Sequence, residues 1–349
     1  MYSDINLLEI LSILAVLIVC VAILNWAWPI AEQLGVVDYP DNGRKNHARA
    51  TPLVGGIAIM VPLLVWSGCT YFWPDISGGM PVPLAVLVCG GGAALMGLID
   101  DRSSISATTR LLILMALTVA ALSISPQLLP TRFHWGHLMS TPVAPWLAYA
   151  LVAIGMTGFV NAVNMADGQD GCVTGMFAIW SACIVYKGGG SSDHLAFVLL
   201  TTSIAVLAFN LRGKVFLGGT GAYGATFVFG LLVLYLHNSW GVTGETVIVW
   251  FFLPVMDCLR LMIQRPMQGR SPFEGDRNHF HHRLLDRFGK HVGLAIYLGL
   301  VASASFVVAY DSDLAPACLA LLTCAYLGLM LLTASPSAQP VPAKIVRRD

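Results

Sequence analysis

The chain has 349 residues, of which 56% are hydrophobic and only 11% are charged, and its mean hydropathy is +0.73. Soluble globular domains carry about 25% charged residues, so this composition excludes a soluble protein and indicates an integral membrane protein. Lys plus Arg and Asp plus Glu number 19 each. No long run of one charge is present, which argues against a nucleic-acid partner.

Apolar stretches dominate the chain, and a bilayer core about 30 Å thick needs about 20 apolar residues per helix. On that measure the sequence predicts eleven membrane spans, at 6–28, 52–73, 81–98, 110–125, 144–163, 172–187, 193–210, 220–237, 245–264, 291–310 and 315–334. The expected fold is therefore an all-α membrane domain over residues 1–334, followed by a disordered tail over 335–349. The first span is expected to be retained, because no cleavage pattern of a signal peptide follows it.

Positive charge predicts the orientation, because short cytoplasmic loops are enriched in Lys and Arg. With the N-terminus outside and the C-terminus in the cytoplasm, only Arg132 and Lys187 face out. The opposite orientation would invert that ratio. The eight cysteines lack C-x-x-C spacing and lie in or beside apolar stretches, so they are predicted to be small buried hydrophobic residues.

The ionisable residues collect in loops on the predicted cytoplasmic side, whereas a transporter or channel would carry them in the middle of its spans. These loops lie at 44–49, 100–102, 164–171, 212–214 and 276–283. Carboxylates, cations and imidazoles gathered at one membrane surface are the groups that a divalent cation and several phosphates require.

Two segments supply carboxylates. Asp100 and Asp101 end an apolar helix and would repel each other unless a cation neutralises them, although a solvated helix end paired with Arg102 is the simpler alternative. The second segment, 161–171, contains two acids and two asparagines besides two glycines, and it could equally be a turn that caps the next helix. The candidate site residues in it are Asn161, Asn164, Asp167 and Asp170.

Basic groups lie in three places. His279, His281 and His282, beside Arg277, lack the partners of a zinc site and are better suited to phosphate, or else form a solvated basic loop. The loop with Lys45, His47 and Arg49 could bind phosphate or simply be attracted to membrane lipid headgroups. Arg265 ends a span that also contains Asp257, which could be the ion-pair partner of Arg260.

In their order, these motifs resemble the polyprenyl-phosphate N-acetylhexosamine-1-phosphate transferases, and His-x-His-His is most similar to the WecA-like branch. The motifs that carry the resemblance are Gly35-Val-Val-Asp38-x-Pro40, Arg44-Lys45-x-His47, Pro52-Leu-Val-Gly55-Gly56, Asp100-Asp101-Arg102, Asn161-Ala-Val-Asn164-Met-x-Asp167-Gly168-x-Asp170-Gly171, Pro254-x-Met256-Asp257 and Ser271-Pro272-Phe273 before Asp276-Arg277-x-His279-x-His281-His282.

The resemblance implies a reaction between undecaprenyl phosphate and a UDP-N-acetylhexosamine, with UDP-GlcNAc expected, that needs Mg²⁺ or Mn²⁺ and releases UMP. It also implies a bacterial inner-membrane protein that starts O-antigen or another envelope polymer. Asp100 or Asp101 would deprotonate or orient the lipid phosphate, and the other would help to place the metal-diphosphate. Asp167 and Asp170 would shape the metal and uridine site with Asn161 and Asn164, so the candidate metal ligands are Asp100, Asp101, Asp167 and Asp170. The diphosphate and sugar would be held by Arg265, Arg277, His279, His281 and His282, and the lipid phosphate would be met by Lys45, His47 and Arg49.

One position departs from the family. The family motif Phe-x-Gly-Asp-x-Gly carries an Asp thought to bind the metal, and Gly219 stands in its place. Glycine has no side chain to ligate magnesium, so either Asp101, Asp167 or Asp170 compensates, or the chain is an impaired form that still binds its substrates. The hexosamine, the polymer and a homodimer are left open, and a transporter is the rival of another class.

Overall fold

The computed structural model describes residues 6–40, 49–79, 82–136, 139–187, 191–240 and 242–334. Among these residues lie thirteen α-helices: α1 Leu7–Asn25, α2 Ala27–Leu34, α3 Gly55–Cys69, α4 Gly91–Ser103, α5 Ala107–Ile124, α6 Pro145–Ala166, α7 Cys172–Lys187, α8 Ser191–Asn210, α9 Thr226–Trp240, α10 Gly244–Met267, α11 Phe280–Phe288, α12 Lys290–Tyr310 and α13 Ala315–Leu332. Two antiparallel ribbons join them, β1 Val37–Asp38 with β2 Thr51–Pro52 and β3 Arg132–Trp135 with β4 Met139–Pro142. The fold is helical, as the sequence predicts.

Seven described segments are long and apolar enough to cross a membrane. They are α1, α5, α6, Thr220–Ser239, α10, α12 and Ser312–Leu332. Three further apolar helices are shorter, namely α3, α7 and His194–Asn210 within α8. At 1.5 Å per residue, a helix of 15 residues such as α3 is only about 22 Å long. These helices support a multi-pass membrane protein.

The loops predicted to share one side of the membrane do meet in the structure. The backbone N–H of Phe216 donates to the Pro52 carbonyl at 2.9 Å, and the N–H of Gly55 donates back to the Phe216 carbonyl at 2.9 Å. On the other side, Asn238 Nδ2 donates to the Gln127 carbonyl at 2.9 Å. The loops are thus grouped as the sequence predicts, and the segments with Pro52 and Phe216 lie beside the candidate site.

Glycine lets the backbones of α3, α4 and the turn before α9 touch. A Cβ on Gly97 would lie 2.1 Å from the Gly219 carbonyl oxygen, and one on Gly56 would lie 2.0 Å from the Gly221 nitrogen. The turn itself is a π-helical segment, Thr220–Ala225, that runs directly into α9. Small residues allow such close helix crossings within a membrane. This contact brings the last turn of α4, which carries Asp100 and Asp101, against Gly219.

The cysteines follow the prediction in part. Cys20, Cys89, Cys172, Cys183 and Cys258 are buried, whereas Cys69 and Cys318 are half-buried and Cys324 is exposed. The prediction of buried small hydrophobic residues is therefore confirmed for five positions, holds only in part for Cys69 and Cys318, and is wrong for Cys324. Cys324 lies on α13, whose outward face is apolar, so its exposure is toward the expected lipid.

Candidate active site

The two adjacent carboxylates at the end of α4 have different partners. Asp100 accepts from Arg110, whose Nη1 lies 3.1 Å from each carboxylate oxygen, and from the backbone N–H of Ile105 at 2.7 Å. Tyr223 donates to the same carboxylate at 3.4 Å. The cation beside Asp100 is thus Arg110 at the start of α5, and the alternative based on its neighbour Arg102 is replaced by this ion pair.

Asp101 points instead into the interior of the site. Both of its carboxylate oxygens accept from the backbone N–H of Gly219, at 2.8 Å each. Burial raises the pKa of this carboxyl, which lies beyond the predicted span 81–98, to about 6, although the amide hydrogen bonds oppose the shift. Asp100 and Asp38 lie close enough to add to the increase. Asp101 is therefore a largely buried carboxylate in a region of negative electrostatic potential.

The acidic loop between α6 and α7 is held by a residue that sequence reasoning missed. Asn210, the last residue of α8, accepts the Gly171 N–H at 2.6 Å and donates to the Val215 carbonyl at 2.9 Å. Gly171 has a φ of +85°, a conformation that glycine adopts without strain. Asp170 pairs with Lys290 of α12 at 2.6 Å. The only sequence signal for Asn210 is an amide residue at the end of an apolar stretch.

Asp167 ends α6 and carries the strongest electrostatic signature of the loop. Its backbone N–H donates to the Asn164 carbonyl at 3.3 Å, so the predicted i,i+3 pair lies at the last turn of the helix. Desolvation, together with the negative charges of Asp101 and Asp170, raises the pKa of Asp167 to about 7. The three carboxylates therefore act on one another, which is the condition that a divalent cation relieves.

The histidine segment reaches the same loop. His281 and His282 lie in the first turn of α11, and a Cβ on Gly168 would lie 2.6 Å and 2.9 Å from their Nε2 atoms. Only a glycine at this position lets both rings approach the acidic loop so closely. His281 Nε2 and His282 Nδ1 are buried without a hydrogen-bond partner among the described residues.

Both of these imidazoles are held neutral. Desolvation lowers the pKa of His281 well below its usual value, and it lowers that of His282 to about 4, with Arg277 and His279 adding to the effect. At neutral pH they present hydrogen-bonding groups to a ligand without fixed positive charge. An anion bound beside them would raise both pKa values.

The remaining predicted site residues are distributed unevenly. Arg265 is only 1% exposed and donates to the Pro272 carbonyl at 2.7 Å, while Arg277 is half-buried and pairs with Asp286 at 3.1 Å. Asn161 lies on α6 with its Nδ2 at 3.4 Å from Met165 Sδ. Arg49 is exposed beside β2, and Lys45 and His47 lie outside the described residues.

Gly219 has a structural role that its alignment with a metal-binding Asp does not suggest. A Cβ at this position would lie 2.7 Å from the Gly97 carbonyl oxygen and 3.1 Å from Asp101 Oδ1. Any side chain at 219 thus requires the backbones of α4 and the π-helical turn to separate. The backbone N–H of Gly219 also donates a hydrogen bond to the Asp101 carboxylate.

The donors present fit a hard divalent cation in their chemistry. Asp101, Asp167 and Asp170 supply carboxylate oxygens and an excess of negative charge. Mg²⁺ in proteins is commonly held by one or two carboxylates, with water and substrate phosphates completing its coordination. In the described part of the chain, one group of three potential ligand atoms lies within 4.8 Å of one another, and it belongs to Asp257, His279 and His281.

Known proteins are similar in sequence to this chain, and the similarity includes the candidate site. The profile of glycosyl transferase family 4 matches residues 83–237, a range that contains Asp100, Asp101, Asp167, Asp170 and Gly219. Undecaprenyl-phosphate alpha-N-acetylglucosaminyl 1-phosphate transferase of Yersinia pestis is 29% identical over 275 residues, which cover 76% of this chain and 73% of that protein.

Proteins of the same name from Salmonella typhi and Escherichia coli K12 are similar to a comparable extent. The Salmonella typhi protein is 28% identical, and the aligned region covers 73% of this chain and 71% of that protein. The Escherichia coli protein is 27% identical, and the aligned region covers 80% of this chain and 77% of that protein. These similarities extend beyond residues 83–237 and over most of the chain. They agree with the resemblance seen in the motifs: residues 83–237 match the profile of glycosyl transferase family 4, and most of the chain is similar to transferases of this name.

Proposed function

We propose that this chain transfers N-acetylhexosamine-1-phosphate, expected to be GlcNAc-1-phosphate, from a UDP-sugar to undecaprenyl phosphate. The products would be UMP and a lipid-linked sugar diphosphate that starts O-antigen or another envelope polysaccharide. The names of the relatives from Yersinia pestis and Escherichia coli state an undecaprenyl-phosphate GlcNAc-1-phosphate transferase, which supports this reaction class.

One observation carries the proposal. Asp101 from α4, Asp167 from the end of α6 and the two histidines of α11 converge on one end of the helical bundle, with Gly168 between the acidic loop and the imidazoles. A lipid phosphate and a nucleotide diphosphate are both anions, so a site for them needs positioning and charge neutralisation more than covalent chemistry. A membrane-embedded site explains why a lipid is one of the two substrates.

The reaction forms one bond and breaks one. A lipid phosphate oxygen attacks the sugar-linked phosphorus, and the oxygen that bridges the two donor phosphates leaves with UMP. We assign Asp100 or Asp101 to orienting the lipid phosphate or accepting its proton. With its pKa near 6, Asp101 is mostly ionised at pH 7. The unpartnered Nε2 of His281 is placed to hydrogen-bond a phosphate oxygen.

Mg²⁺ or Mn²⁺ is the proposed cofactor, and the residues that would hold it are Asp101, Asp167 and Asp170. When bound, the ion would neutralise the phosphates and the charge that develops on the leaving UMP. Asp100 keeps Arg110 as its own counter-ion, so we assign it to positioning and not to holding the metal. Arg277, half-buried near the histidines, is the proposed cationic contact for the donor.

The same proposal includes an orientation of the enzyme in the membrane. Eleven spans with the N-terminus outside would put this site at the cytoplasmic face of the bacterial inner membrane, where the UDP-sugar is soluble. The eleven predicted spans each coincide with a helical segment, although only seven satisfy length and apolarity. A homodimer is compatible with the exposed apolar faces of α1 and α13.

The test is UMP release by the purified chain in detergent or lipid nanodiscs. We expect release from UDP-GlcNAc only when both undecaprenyl phosphate and Mg²⁺ are present, and a slower rate from UDP-GalNAc. Release without the lipid would indicate a nucleotide hydrolase instead. Flux of a UDP-sugar through proteoliposomes without release of UMP would indicate a transporter.

A second candidate is an impaired form that binds its substrates without turnover, and Gly219 is the observation that favours it. The parent and Gly219→Asp are assayed in parallel, because restoring a carboxylate supplies the missing ligand type. Turnover by the Asp variant alone would support impairment. Turnover by the parent would show that Asp101, Asp167 and Asp170 suffice.

A further inference from the structure

A buried ionic network lies beside the site on α10, outside the 83–237 range of the family profile. Asp257 is 4% exposed and lies in the middle of α10, near four groups from three elements. Its Oδ1 accepts from Arg260 at 2.7 Å and from Tyr326 of α13 at 3.3 Å. Its Oδ2 accepts from His279 Nδ1 at 2.8 Å and from the backbone N–H of Phe280 at 3.1 Å.

These contacts determine the orientation of the His279 ring. A carboxylate only accepts hydrogen bonds, so the proton of His279 lies on Nδ1. On the other side of the ring, Nε2 lies 3.5 Å from Arg265 Nη2, and a guanidinium only donates. The two neighbours therefore select the neutral Nδ1–H tautomer, with the lone pair of Nε2 directed toward Arg265.

The same carboxylate fixes the start of α11. His279 precedes the helix and Phe280 is its first residue, and Asp257 Oδ2 binds the side chain of one and the backbone N–H of the other. His281 and His282 follow in the same turn, and the ring centroid of His281 lies 5.4 Å from that of His279 and 4.2 Å from that of His282. The direction in which these two rings point toward Gly168 thus depends on the anchorage at Asp257.

We propose that Asp257 is a positioning residue of the transferase site, which orients His279 and, through the start of α11, His281 and His282. The inference rests on the proposed function. Asp257 itself is not expected to bind a ligand, because both of its carboxylate oxygens already accept hydrogen bonds. The donors are Arg260, Tyr326, His279 and Phe280. Supporting residues of this kind orient imidazoles that act on a ligand, and replacing them commonly costs about 10- to 100-fold in activity.

The experiment is a double-mutant cycle. Asp257→Asn, His279→Gln and the double variant are compared in kcat and KM for UMP release, and in affinity for UDP-GlcNAc. We expect Asp257→Asn to lower kcat/KM by about 10- to 100-fold. In the His279→Gln background the same change should cost less than about threefold, because the two residues act together. Losses that simply multiply would overturn the proposal.

A matched control separates positioning from the loss of a carboxylate. Glu32→Gln, on the exposed surface of α2, makes the same chemical change and should leave activity as in the parent. Melting temperatures of all variants are recorded in the same detergent. If the loss of activity in Asp257→Asn follows a loss of folded protein and not a change in kcat, the residue is structural and the inference fails.

A spectroscopic measurement tests the inference without turnover. With ¹⁵N-labelled histidine, the signals missing from His279→Gln identify His279, and in the parent they should show a protonated Nδ1 and an unprotonated Nε2. Asp257→Asn should shift these signals toward the other tautomer or toward exchange between the two. Unchanged His279 signals would refute the proposal, whereas absence of UMP release from the parent with these shifts intact would refute only the proposed function.

Discussion

The backbone N–H of Gly219 donates to both carboxylate oxygens of Asp101 at 2.8 Å. Where the family motif has an acidic side chain, this chain thus offers a main-chain donor to the acid at the end of α4. The contact exists because Gly97 and Gly219 let two backbones meet without a Cβ between them. A change at this contact should therefore affect both the stability of the protein and the charge distribution around Asp101.

Side chains at this crossing should destabilise the protein. Gly97→Ala would place a Cβ 2.1 Å from the Gly219 carbonyl oxygen, and Gly219→Ala would place one 2.7 Å from the Gly97 carbonyl oxygen. Overpacking of this kind typically costs about 1–3 kcal/mol. We expect both variants to melt at lower temperature than the parent, with Gly97→Ala the more severe, in thermal unfolding monitored by circular dichroism.

The matched control is Gly155→Ala on α6, where a Cβ meets no atom within 4 Å. Within a helix that change should stabilise by about 0.5–1 kcal/mol. Equal melting temperatures for Gly97→Ala and Gly155→Ala would show that the backbones do not touch as described. The crossing also means that Gly219→Asp requires a backbone shift before its carboxylate reaches a metal.

Asp100→Asn should abolish most activity without unfolding the protein. An amide keeps the shape of the side chain but weakens the pair with Arg110 and removes a negative charge from the site. We expect UMP release to fall by about 10²-fold or more, as for removal of a group that positions a reactant. Near-parental turnover would remove Asp100 from the reaction.

Arg102→Gln is the control for that experiment, since Arg102 is exposed and Asp100 is paired with Arg110. Activity should be retained in Arg102→Gln and lost in Arg110→Gln. The reverse pattern would restore the simple helix-end pairing that the sequence alone suggested.

Asn210 should matter as much as the acidic residues that it supports. Asn210→Ala leaves the Gly171 N–H and the Val215 carbonyl without their buried partner, which costs about 1–3 kcal/mol for each unsatisfied group. We expect a lower melting temperature together with weaker UDP-GlcNAc binding by titration calorimetry, because Asp167 and Asp170 lie in the loop that loses its support. Thr174→Val removes only a hydroxyl at 3.3 Å from Asn210 Oδ1 and should have a smaller effect on both.

The sequence predicts much of this arrangement because its signals are local. Apolar length locates the helices, and the Arg260–Asp257 ion pair follows from i,i+3 spacing. The partner of Asp100 is different, because Arg110 lies ten residues on, across a turn whose path no pattern defines. Sequence proximity alone favoured Arg102.

Two other features depend on tertiary packing that a single sequence does not display. Asn210 is one amide at the end of an apolar helix, and its role appears only when α8 meets the acidic loop. The contacts of Arg265 are another such feature, because its guanidinium donates to the Pro272 carbonyl and to Asp276, which fixes the loop before α11, and its role in holding the diphosphate stays a prediction. Its burial comes from the fold of that loop and not from the composition of α10.

The charge of Asp167 should make the stability of the ligand-free protein depend on pH. Its pKa is about 7 in the folded protein against 3.8 for the free side chain, so its protonated form favours the folded state. That contribution is complete below pH 4 and is lost as the pH rises through 7. His281 and His282 act in the opposite direction, because their lowered pKa values reduce stability as the pH falls below 6.5.

Asp167→Asn isolates the carboxylate, since the histidine contribution is present in both proteins. We expect the melting temperature of Asp167→Asn, relative to the parent, to rise between pH 5 and pH 8 in the presence of EDTA. Mg²⁺ in place of EDTA should stabilise the parent more at pH 8 than at pH 5, because ionised carboxylates bind the cation, and should stabilise the variant less. A difference between parent and variant that is the same at both pH values would show that the pKa of Asp167 is not raised into this range, and equal stabilisation of the two proteins by Mg²⁺ would remove Asp167 from the proposed metal site.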